Sequence, residues 1–171
     1  MRRGSGAQRA RAGRPHPRSA PAAVSRGRTR LRGHSLVLQS QFNSKIDRYE
    51  AEINRLVNKA RVEHGCAPLH RDPRLDKAAR LHSQDMAAHS HYSHTSTNGK
   101  GPKERMEAQG YDDASAENID AWPTTPQGAF DAWMHSPGHR ANLLGCHSKA
   151  TGIGVALGEH RAYWTQDFGY K

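Results

Sequence analysis

Residues 131–144 read DAWMHSPGHRANLL, and Pro137 in the middle forbids one continuous helix through them. Proline has no amide hydrogen, its ring clashes with the preceding turn, and it drives the residue before it, here Ser136, toward extended backbone. The stretch predicts a helix ending near Met134, a break before Gly138, and a fresh helical turn through Arg140, Ala141, Asn142, Leu143 and Leu144. Gly138 is free to take whatever angles the turn demands. His139 then opens the second helix. There it either projects from a fixed base into a cleft, as a ligand or proton carrier, or merely caps the helix and bonds a carbonyl.

The remaining elements are placed around this pivot. In residues 44–64 the apolar positions Ile46, Tyr49, Ile53, Leu56, Val57 and Ala60 recur every three or four residues, which predicts one face of a helix stopped by Gly65. Asp72 and Pro73 read as N-cap and first turn of a second helix, carried by Leu75, Ala78, Ala79, His82 and Met86 to about Ala88. A polar loop, HSHYSHTSTNGKG, follows, with a turn at Asn98 and Gly99. Residues 102–109 predict a short helix closed by Gly110, and SAENIDAW, residues 115–122, a strand. Another helix starts at Thr125 and Pro126. Residues 152–157 and 162–168 are β-like runs four residues apart, the signature of an antiparallel hairpin. Helices in front and strands behind make an α+β chain with a helix-covered, mainly antiparallel sheet.

Charge divides the chain. Residues 1–46 hold ten arginines and Lys45 with no acidic residue, whereas residues 47–171 hold 15 basic against 16 acidic residues, so the net +10 resides in the arm. A near-neutral body excludes a protein that is basic throughout to grip nucleic acid. Residues 1–43, rich in Arg, Pro, Gly, Ala and Ser, are expected to be a disordered basic arm, and residues 44–171 the folded domain. The arm is a solvated tail or a weak, salt-sensitive tether for polyanions; without an aromatic before Phe42 it has nothing to stack on bases. Arg2 and Arg3 start like a twin-arginine leader, but no apolar run of export-signal length follows, and a misassigned start codon would look the same. No stretch is apolar enough to span a membrane.

Cys66 and Cys146 fit no zinc-knuckle or CxxC spacing. They are small buried side chains or a pair; a bond between them would stabilise by about 4 to 5 kcal/mol on the chain-entropy model and imply an oxidising compartment.

Taken in order, LVNKARVEHGCAPL, LHSQDMAAHSHYSH, SAENI, AWMHSPGHRANLL, TGIGVAL and YWTQDFG resemble the signature of the CAP superfamily, named for cysteine-rich secretory proteins, antigen 5 and pathogenesis-related 1 proteins. The resemblance spans residues 44–169, and SPGHRANLL is similar to the bacterial branch. It implies an α-β-α sandwich, secretion, a disulfide between Cys66 and Cys146, and a central cavity lined by two histidines and acidic residues, at positions matching His94, Glu117 and His139. Where other members place a second glutamate, three residues after the helix tryptophan Trp133, this chain has Ser136.

Two neutral imidazoles, His94 and His139, can hold Zn²⁺ or another divalent metal through nitrogen, with Glu117 as ligand, orienter or proton acceptor. The same three groups can equally form a metal-free polar brace. His82, His89 and His91 are expected to be exposed and solvated. Ser136 near His139 suggests a hydrolase nucleophile, but His-Ser-Pro-Gly is not a nucleophile elbow. Trp133, Tyr163, Trp164 and Phe168 read as core aromatics, and Trp122 as the exposed one, suited to a binding surface. The expected function is a secreted, monomeric, non-enzymatic module that binds an extracellular lipid, peptide or envelope polymer. The alternatives are a metal-dependent hydrolase acting on peptide or envelope polymer, and polyanion binding through the arm.

Overall fold

The computed structural model describes residues 27–158 and 160–171, with side chains from Leu36 onward. Two compact units divide the chain, Met1–Val37 and Leu38–Lys171. Everything below concerns the second, apart from the start of the first helix. The basic arm lies outside the described residues up to residue 26.

Helix α1 (Gly27–Glu63) starts well before Ser44, inside the stretch expected to be disordered. Leu36, Leu38, Gln39 and Gln41 are good helix formers, which favours the helical backbone there. Then follow a two-residue strand β1 (His70–Arg71), α2 (Pro73–His89), α3 (Pro102–Glu107) and β2 (Ala114–Asp120). The chain closes with α4 (Pro126–His135), α5 (Pro137–Leu143), β3 (Ala150–Leu157) and β4 (Ala162–Gly169). Pro137 opens α5 and Ser136 is extended at φ −91°, ψ 118°, as a proline break requires. Gly138 lies within the first turn of α5 and is not among the residues of positive φ, so the turn does not use its freedom. Strand β1 was not foreseen: two residues carry no periodicity, and the strand exists only because it pairs with β3.

The sheet order is β1-β3-β4-β2, with β1 parallel to β3 and the other pairs antiparallel. One face buries Ile153, Val155, Trp164 and Phe168 against Ile53 and Val57 of α1, Trp133 of α4 and Leu143 of α5. The other face is covered by α2 and α3 through Leu75, Ala78, Met86, Met106, Ile119 and Tyr163. The result is an α-β-α sandwich whose core aromatics are those the sequence suggests.

The GIGVAL motif explains how closely α2 lies on the sheet. A Cβ on Gly152 would sit 2.0 Å from the carbonyl carbon of Leu75, and one on Gly154 2.3 Å from that of Ala79. Only hydrogen fits between these backbones.

Cys66 and Cys146 are bonded, tying the end of α1 to the segment after α5. Beside them Arg61 is fully buried and donates to the carbonyls of Ala67, Leu143, Gly145 and Ser148 at 2.8–3.1 Å. One guanidinium thus satisfies several carbonyls that chain reversal would leave orphaned in the interior. Among the described residues no helix is long and apolar enough to cross a membrane.

Candidate functional site

Each sequence-predicted side chain comes from a different element. His94 sits in the loop after α2, Glu117 in β2, and His139 in the first turn of α5. Glu117 points to the α2–α3 side of the sheet, where its carboxylate is almost wholly buried, with a side-chain exposure of 2%. His94 Nδ1 lies 2.6 Å from Glu117 Oε1, and the imidazole is 51% exposed. A carboxylate only accepts, so Nδ1 carries the hydrogen and donates, which orients the ring and leaves Nε2 as its other nitrogen.

The second oxygen of Glu117 is held by Arg105 Nη2 of α3. Arg105, itself buried, also donates through Nη1 to the carbonyls of His94 at 2.7 Å and Lys100 at 3.0 Å. One arginine therefore pins both the carboxylate and the loop that carries the imidazole. With a side chain on each of its oxygens, Glu117 is built to orient His94.

His139 is anchored by its backbone: Asn118 Nδ2 donates to its carbonyl at 3.1 Å, and Asn142 Nδ2 donates to Asn118 Oδ1 at 2.9 Å. Adjacent β2 residues thus reach opposite faces of the sheet, Glu117 toward His94 and Asn118 toward α5. Burial holds the His139 imidazolium pKa below its ordinary value, the charge on His94 lowers it further, and Asp120 partly offsets both. The shift favours the neutral form of the His139 ring.

Among the described residues no group of three or more His, Cys, Asp and Glu side chains is arranged to hold a metal ion. The contacts bring His94 together with Glu117 and Arg105, while His139 is tied to the sheet through Asn118. At this site the His94 imidazole is half exposed while Glu117 behind it is buried. A groove of about 790 Å³ lies elsewhere, between Phe42, Ile46, Arg80, Ala87 and Leu157.

His82 corrects the sequence reading. It is 1% exposed, whereas His89 and His91 are on the surface. Its Nε2 faces the carbonyl of Ser93 at 3.0 Å and must carry the hydrogen, so Nδ1 accepts from the Ser96 hydroxyl at 3.0 Å. Burial drives its pKa down to about 4, with Arg105 adding to the effect and Glu117 opposing it. The helical spacing that put His82 on the apolar face of α2 was the signal for burial. Ser136 makes no side-chain cap, and nothing pairs it with His139 as a nucleophile. Trp122 is 67% exposed, with the Arg161 guanidinium 4.3 Å from its ring centre.

Two residues of the site escaped the sequence reading. Arg105 carries no signal beyond its charge. Asp167 had one: an acid between Gln166 and Phe168, in a strand whose every residue is buried, has to be accommodated inside.

The sequence profile of the family described as CAP, cysteine-rich secretory protein family, matches residues 55–168. The Bacillus subtilis protein YkwD is 37% identical over 126 residues, 73% of this chain and 48% of its own length. The Bacillus subtilis membrane protein YlbC is 36% identical over 120 residues, 70% of this chain and 34% of its own. The chain thus spans about half or less of these relatives. Among solved structures, an extracellular protein containing an SCP domain from Bacillus anthracis superposes with a TM-score of 0.65 at 29% identity, over 74% of this chain and 41% of that one. An outer surface protein of Borrelia burgdorferi shares the fold alone, with a TM-score of 0.61 at 17% identity over 69% and 89% of the two chains.

Proposed function

This chain belongs to the cysteine-rich secretory protein family, and from that premise we propose that it is an exported, non-enzymatic binding module centred on His94 and His139. Its disulfide is stable only in an oxidising compartment, and the related Bacillus anthracis domain belongs to an extracellular protein. The observation that carries the reading is the His94–Glu117 hydrogen bond at 2.6 Å, with Arg105 on the other carboxylate oxygen. This is the arrangement by which proteins orient a ligating imidazole.

A divalent cation such as Zn²⁺ would be held by His94 Nε2 and the His139 ring; when bound it would polarise an oxygen of whatever molecule the module receives. Glu117, with both oxygens engaged, is suited to orient rather than to take a proton from water, which favours a binding module over a hydrolase. Tyr92 and Trp122, both exposed, flank the strand end at Ile119 and Asp120 and would supply apolar contact to an extracellular lipid, peptide or envelope polymer.

Calorimetric titration with Zn²⁺, paired with histidine ring ¹⁵N NMR, tests this. Binding should shift His94 and His139 together, vanish in His94→Ala, and weaken about 10- to 100-fold in Glu117→Gln. Zinc that leaves both rings unperturbed would reduce the trio to a structural brace and end the proposal.

A further inference from the structure

Asp167 of β4 has no solvent exposure, and neither of its carboxylate oxygens has a hydrogen-bond partner among the described residues. In the β2–β4 register it stands directly opposite Glu117, so the two carboxyl groups project from the same face of the sheet as nearest cross-strand neighbours. A like-charged pair in that relation is unfavourable on any sheet. In a dry interior, where an unpaired carboxylate costs several kcal/mol, it is not tolerated without two compensating cations.

Among the described residues the surroundings supply one buried cation, Arg105; the other group on Glu117, the His94 imidazole, is half exposed. From α3 comes Arg105, whose Nη2 is committed to Glu117 and whose Nη1 serves carbonyls. From β3 comes Gly152, which has no side chain. Helix α2 packs on this side, as Ser83 Oγ donating to Thr165 Oγ1 shows; its titratable groups here are His82, neutral between Ser93 and Ser96, and Asp76, already paired with Arg71. From β2 comes Glu117 itself. One guanidinium thus faces two carboxyl groups.

We infer that Asp167 is a positioning residue of this site, a neutral carboxyl standing behind Glu117 and leaving Glu117 as the single buried anion between Arg105 and His94. Burial first and the charge of Glu117 second push its acid strength in that direction, with Arg105 opposing. The consequence reaches the surface. If Asp167 were ionised, it would compete with Glu117 for Arg105 and loosen the carboxylate that sets the hydrogen on His94 Nδ1. Neutral, it adds no second negative charge opposite Glu117 and keeps the charge where the imidazole needs it. This inference rests on the reading of His94 and Glu117 as the binding centre, but its test needs no metal.

In metal-free protein carrying ¹³C-labelled aspartate, the Asp167 carboxyl resonance should remain that of the acid form at pH 7. Asp167→Asn keeps shape and a donor. It should preserve the His94 Nδ1–H tautomer seen by ring ¹⁵N shifts, and its melting temperature should gain on wild type steadily from pH 4 to pH 8. The sign follows from the unfolded chain, which ionises its aspartate on leaving pH 4 while the folded state does not. Asp167→Ala should loosen the His94 tautomer. An ionised Asp167 signal at pH 7, or a melting difference flat with pH, would overturn the inference. If the variants do not fold, the wild-type carboxyl signal alone decides. Failure of zinc to bind would sink the binding-centre proposal and leave this result unchanged.

Discussion

Acidification should destabilise this domain through His82. In the unfolded chain the imidazole takes a proton as pH falls through 6.5, whereas in the fold burial holds it neutral down to about pH 4. A group whose folded pKa is depressed contributes stability that is full above the unfolded value and lost as pH drops toward the folded one. The window is therefore pH 6.5 to 4, with loss on the acid side. At 1.36 kcal/mol per pH unit, the His82 contribution falls by about 1.4 kcal/mol at pH 5.5 and about 3 kcal/mol at pH 4, the latter an upper bound if water reaches the ring as the loop loosens. The structure also says what breaks: a protonated Nδ1 can no longer accept from the Ser96 hydroxyl, which lies 3.3 Å from the Arg105 guanidinium. Both the loop carrying His94 and the arginine holding Glu117 are disturbed at once.

The assay is urea denaturation followed by tryptophan fluorescence at pH 7.5, 5.5 and 4, for wild type and His82→Gln. The variant should be less stable at pH 7.5, because it loses a well-formed pair of hydrogen bonds, yet the gap should close as pH falls. A wild-type-minus-variant difference that stays constant across the range, or an NMR titration of His82 near 6.5, would refute the reasoning.

Other substitutions probe the frame. Gly154→Ala puts a methyl group 2.3 Å from the α2 backbone at Ala79, where no side-chain movement relieves the clash, so a loss of more than about 3 kcal/mol is expected, read as soluble yield and melting temperature. Replacing both Cys66 and Cys146 with alanine opens a loop closed across a sequence separation of 80 and should cost about 4 to 5 kcal/mol in urea midpoint analysis, with wild type under reducing conditions behaving alike.

The local sequence determined much of this molecule. Periodic apolar positions set the face of α1 that meets the core, Asp72 with Pro73 started α2, and Pro137 split α4 from α5, because each of these effects acts within a turn or two of backbone. The glycines of GIGVAL and the paired β-runs likewise announced a hairpin, though not that α2 would lie against it. Resemblance, rather than spacing, singled out His94, Glu117 and His139, since the gaps between them say nothing about distance in space. Only the tertiary structure decided that Glu117 meets His94 and Arg105 at once and that Asp167 stands opposite Glu117. Each of those relations depends on strand register and on which helix covers which face, and register is a property of pairing between segments far apart in the chain, invisible in either segment alone.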